Sequence, residues 1–389
     1  MKNNLSDRTS KVKFSPIREI FDLASKTPGL TRFEVGQPDF ATPIHIREAS
    51  KSAIDEGLIG YTPTNGLQVT REAVSKRLSA DFGLEYDPNS EIAITVGASG
   101  ALYLALRALI NPGDEVLRPD PGFATYDEII KDADGIPVKY PLIPDKTFSV
   151  DVKVIESLIS EKTKAIIINS PGNPCGNVID EMQLEEIMDI CEKHGLFVIS
   201  DEAYDKIIYD QKHVPAALKA KDKYNVLTIG SSSKNYAMTG FRIGYAAGDK
   251  KLIAEIVKFQ SLSSICADYV GQKAYAVALF EDQSETTKMV DEYNRRRQYF
   301  VSELNKIAGF NCSSPDGAFY VFVDISEHNP DDWAFTKYLI EQVKVTCIPG
   351  SSFGDVGKGF VRFSFATSME VLHEGIEKLK KHFGTKLDS

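Results

Sequence analysis

No apolar run in this chain approaches the roughly 18 residues that a membrane-spanning helix needs, so no span is expected. The first thirteen residues are polar and lack the apolar core of a secretory signal. Cysteine is sparse and scattered: Cys175, Cys191, Cys266, Cys312 and Cys347, an odd number with no CxxC pair and no cluster with histidine. Neither a disulfide framework nor a zinc site follows from that pattern, and a reducing, cytoplasmic setting fits it. Basic charge is in deficit, with 45 Lys and Arg against 55 Asp and Glu and a net charge of −10. Broad nucleic-acid binding, which needs a basic face, is therefore not expected. Local arginines can still hold a small anion against the global field. A G-x-G-x-x-G dinucleotide fingerprint and a P-loop are both missing, as are internal repeats and low-complexity segments.

The 389 residues, 42% of them apolar, are enough for two or three globular domains. Short apolar runs at 92–96, 115–118, 137–140, 165–169, 196–200, 226–229 and 243–247 read as strands, with amphipathic stretches between them. That alternation predicts an α/β fold with a mostly parallel sheet between crossover helices. One helix is marked at both ends: Asp180 can cap it, Gln183 would complete a capping box, and Gly195 stops it. Its stripe of Leu184, Ile187, Ile190 and Cys191 should face the sheet. The texture changes near Glu281. A long charged helix over 284–308 contains Arg295-Arg296-Arg297, which reads as a solvated face, and strands follow at 319–325, 345–348 and 360–366. A last helix opens with Thr367-Ser368-Met369-Glu370 as a capping box. Residues from about 281 onward are expected to form a smaller α+β domain.

Lys234 stands in Ser231-Ser232-Ser233-Lys234-Asn235-Tyr236-Ala237-Met238-Thr239-Gly240-Phe241-Arg242. An amine can bond covalently to an aldehyde only after losing a proton, and a cationic neighbour promotes that loss. The hydroxyls and Arg242 could together hold a phosphate. Taken alone, the segment reads equally well as a polar loop. Asn169-Ser170-Pro171-Gly172-Asn173-Pro174-Cys175-Gly176 follows an apolar run and must turn, whether as a rigid loop or as part of a site. Asp201 and Tyr204 follow another apolar run, where open α/β sheets place ligand groups, although Asp is also a common helix cap. Arg362 lies inside an apolar strand and needs an anion, either a structural carboxylate or a ligand. Thr95-Val96-Gly97-Ala98-Ser99-Gly100 is a strand, a small-residue turn and a helix start, suited to a phosphate or simply to close packing.

Together these segments resemble the class I, fold-type I pyridoxal-phosphate aminotransferases of the aspartate/aromatic subgroup, from about Arg32 to about Phe383. Asn173, Asp201, Tyr204, Lys234, Arg242 and Arg362 agree with that family in order, spacing and residue type. The resemblance implies a large cofactor domain over 45–280 and a small α+β domain from 1–44 and 281–389 that closes over the site. Lys234 would carry pyridoxal 5′-phosphate and, once freed by the substrate, act as the base. Asp201 would pair with the pyridine nitrogen, Tyr204 and Asn173 with the phenolic oxygen, and Phe123 would stack on the ring. Ala98, Ser99, Ser231, Ser233 and Arg242 would form the phosphate cup. Tyr61 would reach the phosphate of a neighbouring subunit, which makes a homodimer with shared sites. Arg362, with Gly36 in a closing loop, would grip the substrate α-carboxylate.

The implied reaction moves the amino group of an L-amino acid, aspartate or aromatic, to 2-oxoglutarate by a ping-pong mechanism. Ser99 stands where aspartate-specific relatives carry a lysine, so broad alanine/aromatic specificity is an alternative. Cys175 replaces the usual threonine, and Asn235-Tyr236 replaces a common Thr-Phe. The same residues could serve a carbon–sulfur β-lyase or a cyclopropane-carboxylate synthase. A regulator's cofactor-binding module and a nicotinamide dehydrogenase fit less well, for want of a DNA-binding segment before Arg32 and of the glycine fingerprint.

Overall fold

The computed structural model describes residues 5–57, 59–145 and 147–386, so the first four residues of the polar N-terminal stretch and the ends of the expected small domain lie outside it. Its strands are β1 (Thr31–Arg32), β2 (Ile92–Thr95), β3 (Glu115–Asp120), β4 (Ile136–Pro141), β5 (Thr163–Asn169), β6 (Phe197–Asp201), β7 (Val226–Ser231), β8 (Gly244–Ala247), β9 (Asn311–Cys312), β10 (Tyr320–Asp324), β11 (Val345–Thr346), β12 (Ile348–Pro349) and β13 (Phe360–Ser364). Seven of them form one sheet in the order β2-β8-β7-β6-β5-β3-β4. Only β8 runs against its neighbours; every other pairing is parallel. All seven expected strands of this sheet are present, each within one or two residues of its expected bounds.

The apolar runs are continuous because both faces of the sheet are covered. In β5 and β6, Ile166, Ile168 and Val198 pack into one core, while Ala165, Ile167 and Ile199 pack into the other. The period-2 alternation thus separates two cores without any change of residue type. The helix Glu181–His194 starts and stops as expected: Asp180 accepts from the Gln183 N–H at 2.9 Å, and Gly195 takes the left-handed conformation at φ 65°. Its second capping arm is not made, because the Gln183 amide donates to Val150 O instead. Met188 rather than Ile190 joins its buried stripe, and Ile190 is only half-buried.

A second, antiparallel sheet has the order β12-β13-β10-β9, and β1 pairs in parallel with β11. The expected single strand over 345–348 is therefore two pieces in two different sheets. An aromatic core that includes Phe33, Phe300, Phe319, Phe363 and Phe365 backs this region. The C-terminal helix Met369–Phe383 is capped by Ser368, one residue later than expected.

The basic run on the helix Ser284–Asn305 is a correction. Only Arg295 is solvated; Arg296 and Arg297 are 5% and 3% exposed. Arg296 Nη1 donates to both carboxylate oxygens of Asp39 at 2.8 and 3.0 Å, and Arg297 pairs with Asp210 at 2.7 Å. Buried guanidinium groups need such partners, and here they tie the helix to the loops that follow β1 and β6.

Candidate active site

All parallel strands of the large sheet end at one edge, where a cavity of about 340 Å³ opens toward β10 and β13. Ligands of open α/β sheets bind at such an edge. Twelve of the thirteen expected site residues line it: Gly36, Ala98, Ser99, Phe123, Asn173, Asp201, Tyr204, Ser231, Ser233, Lys234, Arg242 and Arg362. Most lie at a strand's end or in the turn or helix start after it; Arg242 comes just before β8 and Arg362 lies within β13. Tyr61 is the exception; it is 84% exposed and not part of the lining.

Lys234 sits on the single helical turn Ser232–Asn235 after β7, and its Nζ donates to Gly36 O at 2.6 Å. No carboxylate of the described residues pairs with it. Burial, with the charges of Arg362 and Arg242 added, lowers its pKa from 10.5 to about 8. Asp201, at the end of β6, is the opposite case. Burial raises it to about 6, although the Tyr126 hydroxyl at 2.7 Å and the Ala203 N–H hold it back. It is a buried carboxylate with no cationic partner among the described residues, so a protonated ring nitrogen would complete it.

Arg362 is 4% exposed and reaches the cavity from β13. It has no carboxylate partner among the described residues. Its Nη1 donates to Asn173 Oδ1 at 2.8 Å and its Nη2 to Glu34 O at 3.0 Å, while its buried Nε finds no acceptor. A fork held from behind by neutral oxygens, with donor capacity to spare, suits an incoming carboxylate. Arg242 adopts a left-handed backbone at φ 56° and donates to Thr239 O. Its guanidinium lies so close to the start of the helix Gly97–Leu109 that a Cβ on Gly97 would come within 2.8 Å of Nη2. Positive charge, a helix N-terminus and the hydroxyls of Ser99, Ser231 and Ser233 therefore surround one corner, as a phosphate requires.

Several lining residues went unread in the sequence. Tyr320 of β10 donates to or accepts from the Tyr204 hydroxyl at 2.8 Å, and the Arg362 guanidinium lies over its ring at 4.2 Å. A Cβ on Gly36 would be 2.6 Å from its hydroxyl, so the loop around Gly36 closes directly on it. Asn169, at the end of β5, donates to Asp201 O and accepts the Asn173 N–H, joining two neighbouring site loops. Its signal was visible, a polar residue ending an apolar run. Tyr320 gave none, since a tyrosine within an apolar strand reads as core. Ile17 and Phe21, from the helix Ile17–Lys26, form an apolar wall of the cavity.

The sheet order, the lysine without a carboxylate partner among the described residues and the buried arginine fork fit the α/β transferases of fold type I. The chain belongs to the aminotransferase class I and II family, whose model matches residues 28–379. It is 39% identical to an aspartate aminotransferase of Pyrococcus abyssi, covering 97% of each chain. It is 37% identical to an aromatic-amino-acid aminotransferase of Thermococcus litoralis, again with 97% of each covered. The crystal structure of Thermus thermophilus aspartate aminotransferase with maleate superposes with a TM-score of 0.91 at 32% identity, covering 97% of this chain and 99% of that one. The protein is thus an enzyme of the aminotransferase class. No helix of the described residues is long and apolar enough to cross a membrane.

Proposed function

We propose that this enzyme uses pyridoxal 5′-phosphate to move the amino group of an L-amino acid, aspartate or aromatic, to 2-oxoglutarate by a ping-pong route. The observation that carries the reading is Lys234: a partly buried lysine whose pKa desolvation, Arg362 and Arg242 lower to about 8, with no carboxylate partner among the described residues, in one cavity with Arg362 and Asp201. The donor set fits the cofactor. Asp201 would pair with the ring nitrogen, the Tyr204 hydroxyl and the Asn173 amide with the phenolic oxygen, and Phe123 would cover the ring. Ser231, Ser233, Arg242 and the N–H groups of Ala98 and Ser99 would hold the phosphate. When bound, the cofactor supplies an electron sink and stores the amino group between the two half-reactions.

The chain's own residues do the rest. Arg362 holds the α-carboxylate with two parallel hydrogen bonds, and Asn173 and Glu34 O fix the fork. The neutral Lys234 amine would take the proton from the substrate Cα and deliver it to the cofactor carbon on the far side of the amino nitrogen. Gly36 packs against Tyr320 and offers its carbonyl to Lys234, so the loop excludes water over the carboxylate. We assign residues 45–280 to a large domain, and 1–44 with 281–389 to a small one. Exposed Tyr61, on a loop anchored by Gln260 to Thr64 O and by Gln272 to Thr62, would complete the site of a second subunit in a homodimer.

The test is the visible absorbance of the protein reconstituted with pyridoxal phosphate, read after separate additions of aspartate, tyrosine, alanine and glutamate. Loss of the band with a donor and its return with 2-oxoglutarate support the reading and name the donor class. Ammonia, pyruvate and a thiol released from added cystathionine without an acceptor would replace it with the β-lyase.

A further inference from the structure

Beneath the site lies a buried polar unit that touches neither the cavity nor any candidate ligand. Asn235 directly follows Lys234, and Asp205 directly follows Tyr204. The Asn235 amide Nδ2 donates to Asp205 Oδ1 at 2.5 Å, and its Oδ1 accepts the Lys206 N–H at 3.4 Å. The other Asp205 oxygen is ion-paired with Arg77 of the helix Gln68–Phe82. Arg77 also donates to Asp81 at 3.1 Å and Tyr245 at 3.4 Å, and Lys206 approaches Asp81 at 3.5 Å. Two cations and two carboxylates thus balance, and Asn235, Asp205 and Arg77 are all buried.

The need for this unit follows from the length of the helix that carries the lysine. Four residues make a single turn, and a single turn does not hold itself, because nucleation fixes several dihedrals for one hydrogen bond. Its start is tied down: Ser231 caps the Ser233 N–H at 3.1 Å and Ser232 Oγ donates to Ile243 O at 2.9 Å. Its end runs into Ala237, which is left-handed at φ 51°. Among the described residues, Asn235 is the side chain whose hydrogen bonds fix that end to the neighbouring strand's turn.

We propose that Asn235 is a positioning residue: its hydrogen bond to Asp205, braced by Arg77, fixes the distance between the Lys234 amine and the Tyr204 hydroxyl by stapling the turn after β7 to the turn after β6. The proposal rests on Lys234 and Tyr204 carrying the chemistry. Misplacement of a reacting group by an ångström costs on the order of a hundredfold in rate, so the staple acts on turnover rather than on binding.

The experiment compares wild type with Asn235→Ala and with Asn235→Thr, which keeps a hydroxyl donor for Asp205. Two readouts are taken. The first is kcat and KM of the reconstituted enzyme with its best donor. The second uses the cofactor-free protein: the pH midpoint for acylation of Lys234 by acetic anhydride, quantified on its peptide by mass spectrometry. The staple predicts that Asn235→Ala loses about tenfold to a hundredfold in kcat with KM within about twofold, raises the acylation midpoint above the wild-type value, and is partly restored as Thr. Unchanged kcat with an unchanged midpoint overturns it, as does a loss that appears in KM alone. If Asn235→Ala does not fold, Asn235→Leu, close in size and without a donor, decides on the same readouts: kcat reduced with KM held and the midpoint raised supports the staple, and wild-type values for both overturn it. A wild type that takes up no pyridoxal phosphate refutes the proposed function instead, while the acylation midpoint still judges the staple.

Discussion

Replacing Lys234 with methionine should abolish amino transfer and, by the same electrostatics, should make the cofactor-free protein more stable. Burial and the charges of Arg362 and Arg242 lower the folded-state pKa from 10.5 to about 8. At pH 7.5 the folded amine is neutral in about one molecule in four, against about one in a thousand for an ordinary lysine. Between pH 8 and 10.5 the unfolded chain binds more protons than the folded one, so stability rises with pH across that window. Below pH 8 the penalty is complete. At about 1.4 kcal/mol per pH unit it comes to about 3 kcal/mol. Methionine also forfeits the hydrogen bond to Gly36 O, worth about 1 kcal/mol, leaving a net gain of about 2 kcal/mol. Thermal unfolding of the two cofactor-free proteins at pH 7 and at pH 10.5 measures it. The variant should melt a few degrees higher at pH 7, and the advantage should vanish at the upper pH. No gain at pH 7, or a gain that persists at pH 10.5, would refute the assignment of a depressed lysine.

Arg362→Lys keeps the charge but loses the fork, and should lower kcat/KM on the order of a hundredfold for every donor, measured by steady-state kinetics. Tyr320→Phe removes the hydroxyl at Tyr204 while leaving the ring under Arg362; donor KM should stay within about twofold, while the pH midpoint of the visible band of the loaded enzyme shifts. Asp201 is raised to about 6, so the cofactor-free protein loses stability as pH rises from 3.8 through 6; Asp201→Asn should flatten that slope in chemical unfolding and, in the same protein, weaken cofactor retention on dialysis. Gly354→Ala places a Cβ 1.8 Å from Asp120 Oδ1 at φ +148°, and should lower the melting temperature by several degrees, a cost of about 3 kcal/mol.

The large sheet was legible because both of its faces are apolar, so its strands appear as runs such as Ile166–Ile168 flanked by turn residues. Site residues at strand ends were legible for the same reason: Asp201 and Lys234 are chemically distinctive residues where a run stops. What failed depended on partners far away in the chain. Arg296 and Arg297 look solvated until Asp39 and Asp210 are brought beside them. The run over 345–348 looks like one strand until β1 claims Val345 and Thr346, and β13 claims Ile348 and Pro349. Tyr320 becomes part of the site only because the pairing of β10 with β13 puts it on the same face as Arg362. Gln183 kept its amide from the capping box because Val150 O offered another acceptor.

The two carbonyls that hold the key cations come from the segment following β1: Glu34 O takes Arg362 and Gly36 O takes Lys234. Arg362 itself lies more than three hundred residues further along. On a ribosome adding about 5–20 residues per second, the large sheet can be complete well before β13 emerges. During that interval Lys234 would face water in a half-built cleft: Gly36 is already made, but β1, which leads into its segment, still lacks its partner β11. With Arg362 as the proposed carboxylate grip, the nascent chain should stay inert toward amino acids until β13 is in place. Any fragment ending before β13 should have a sound core and an empty carboxylate grip.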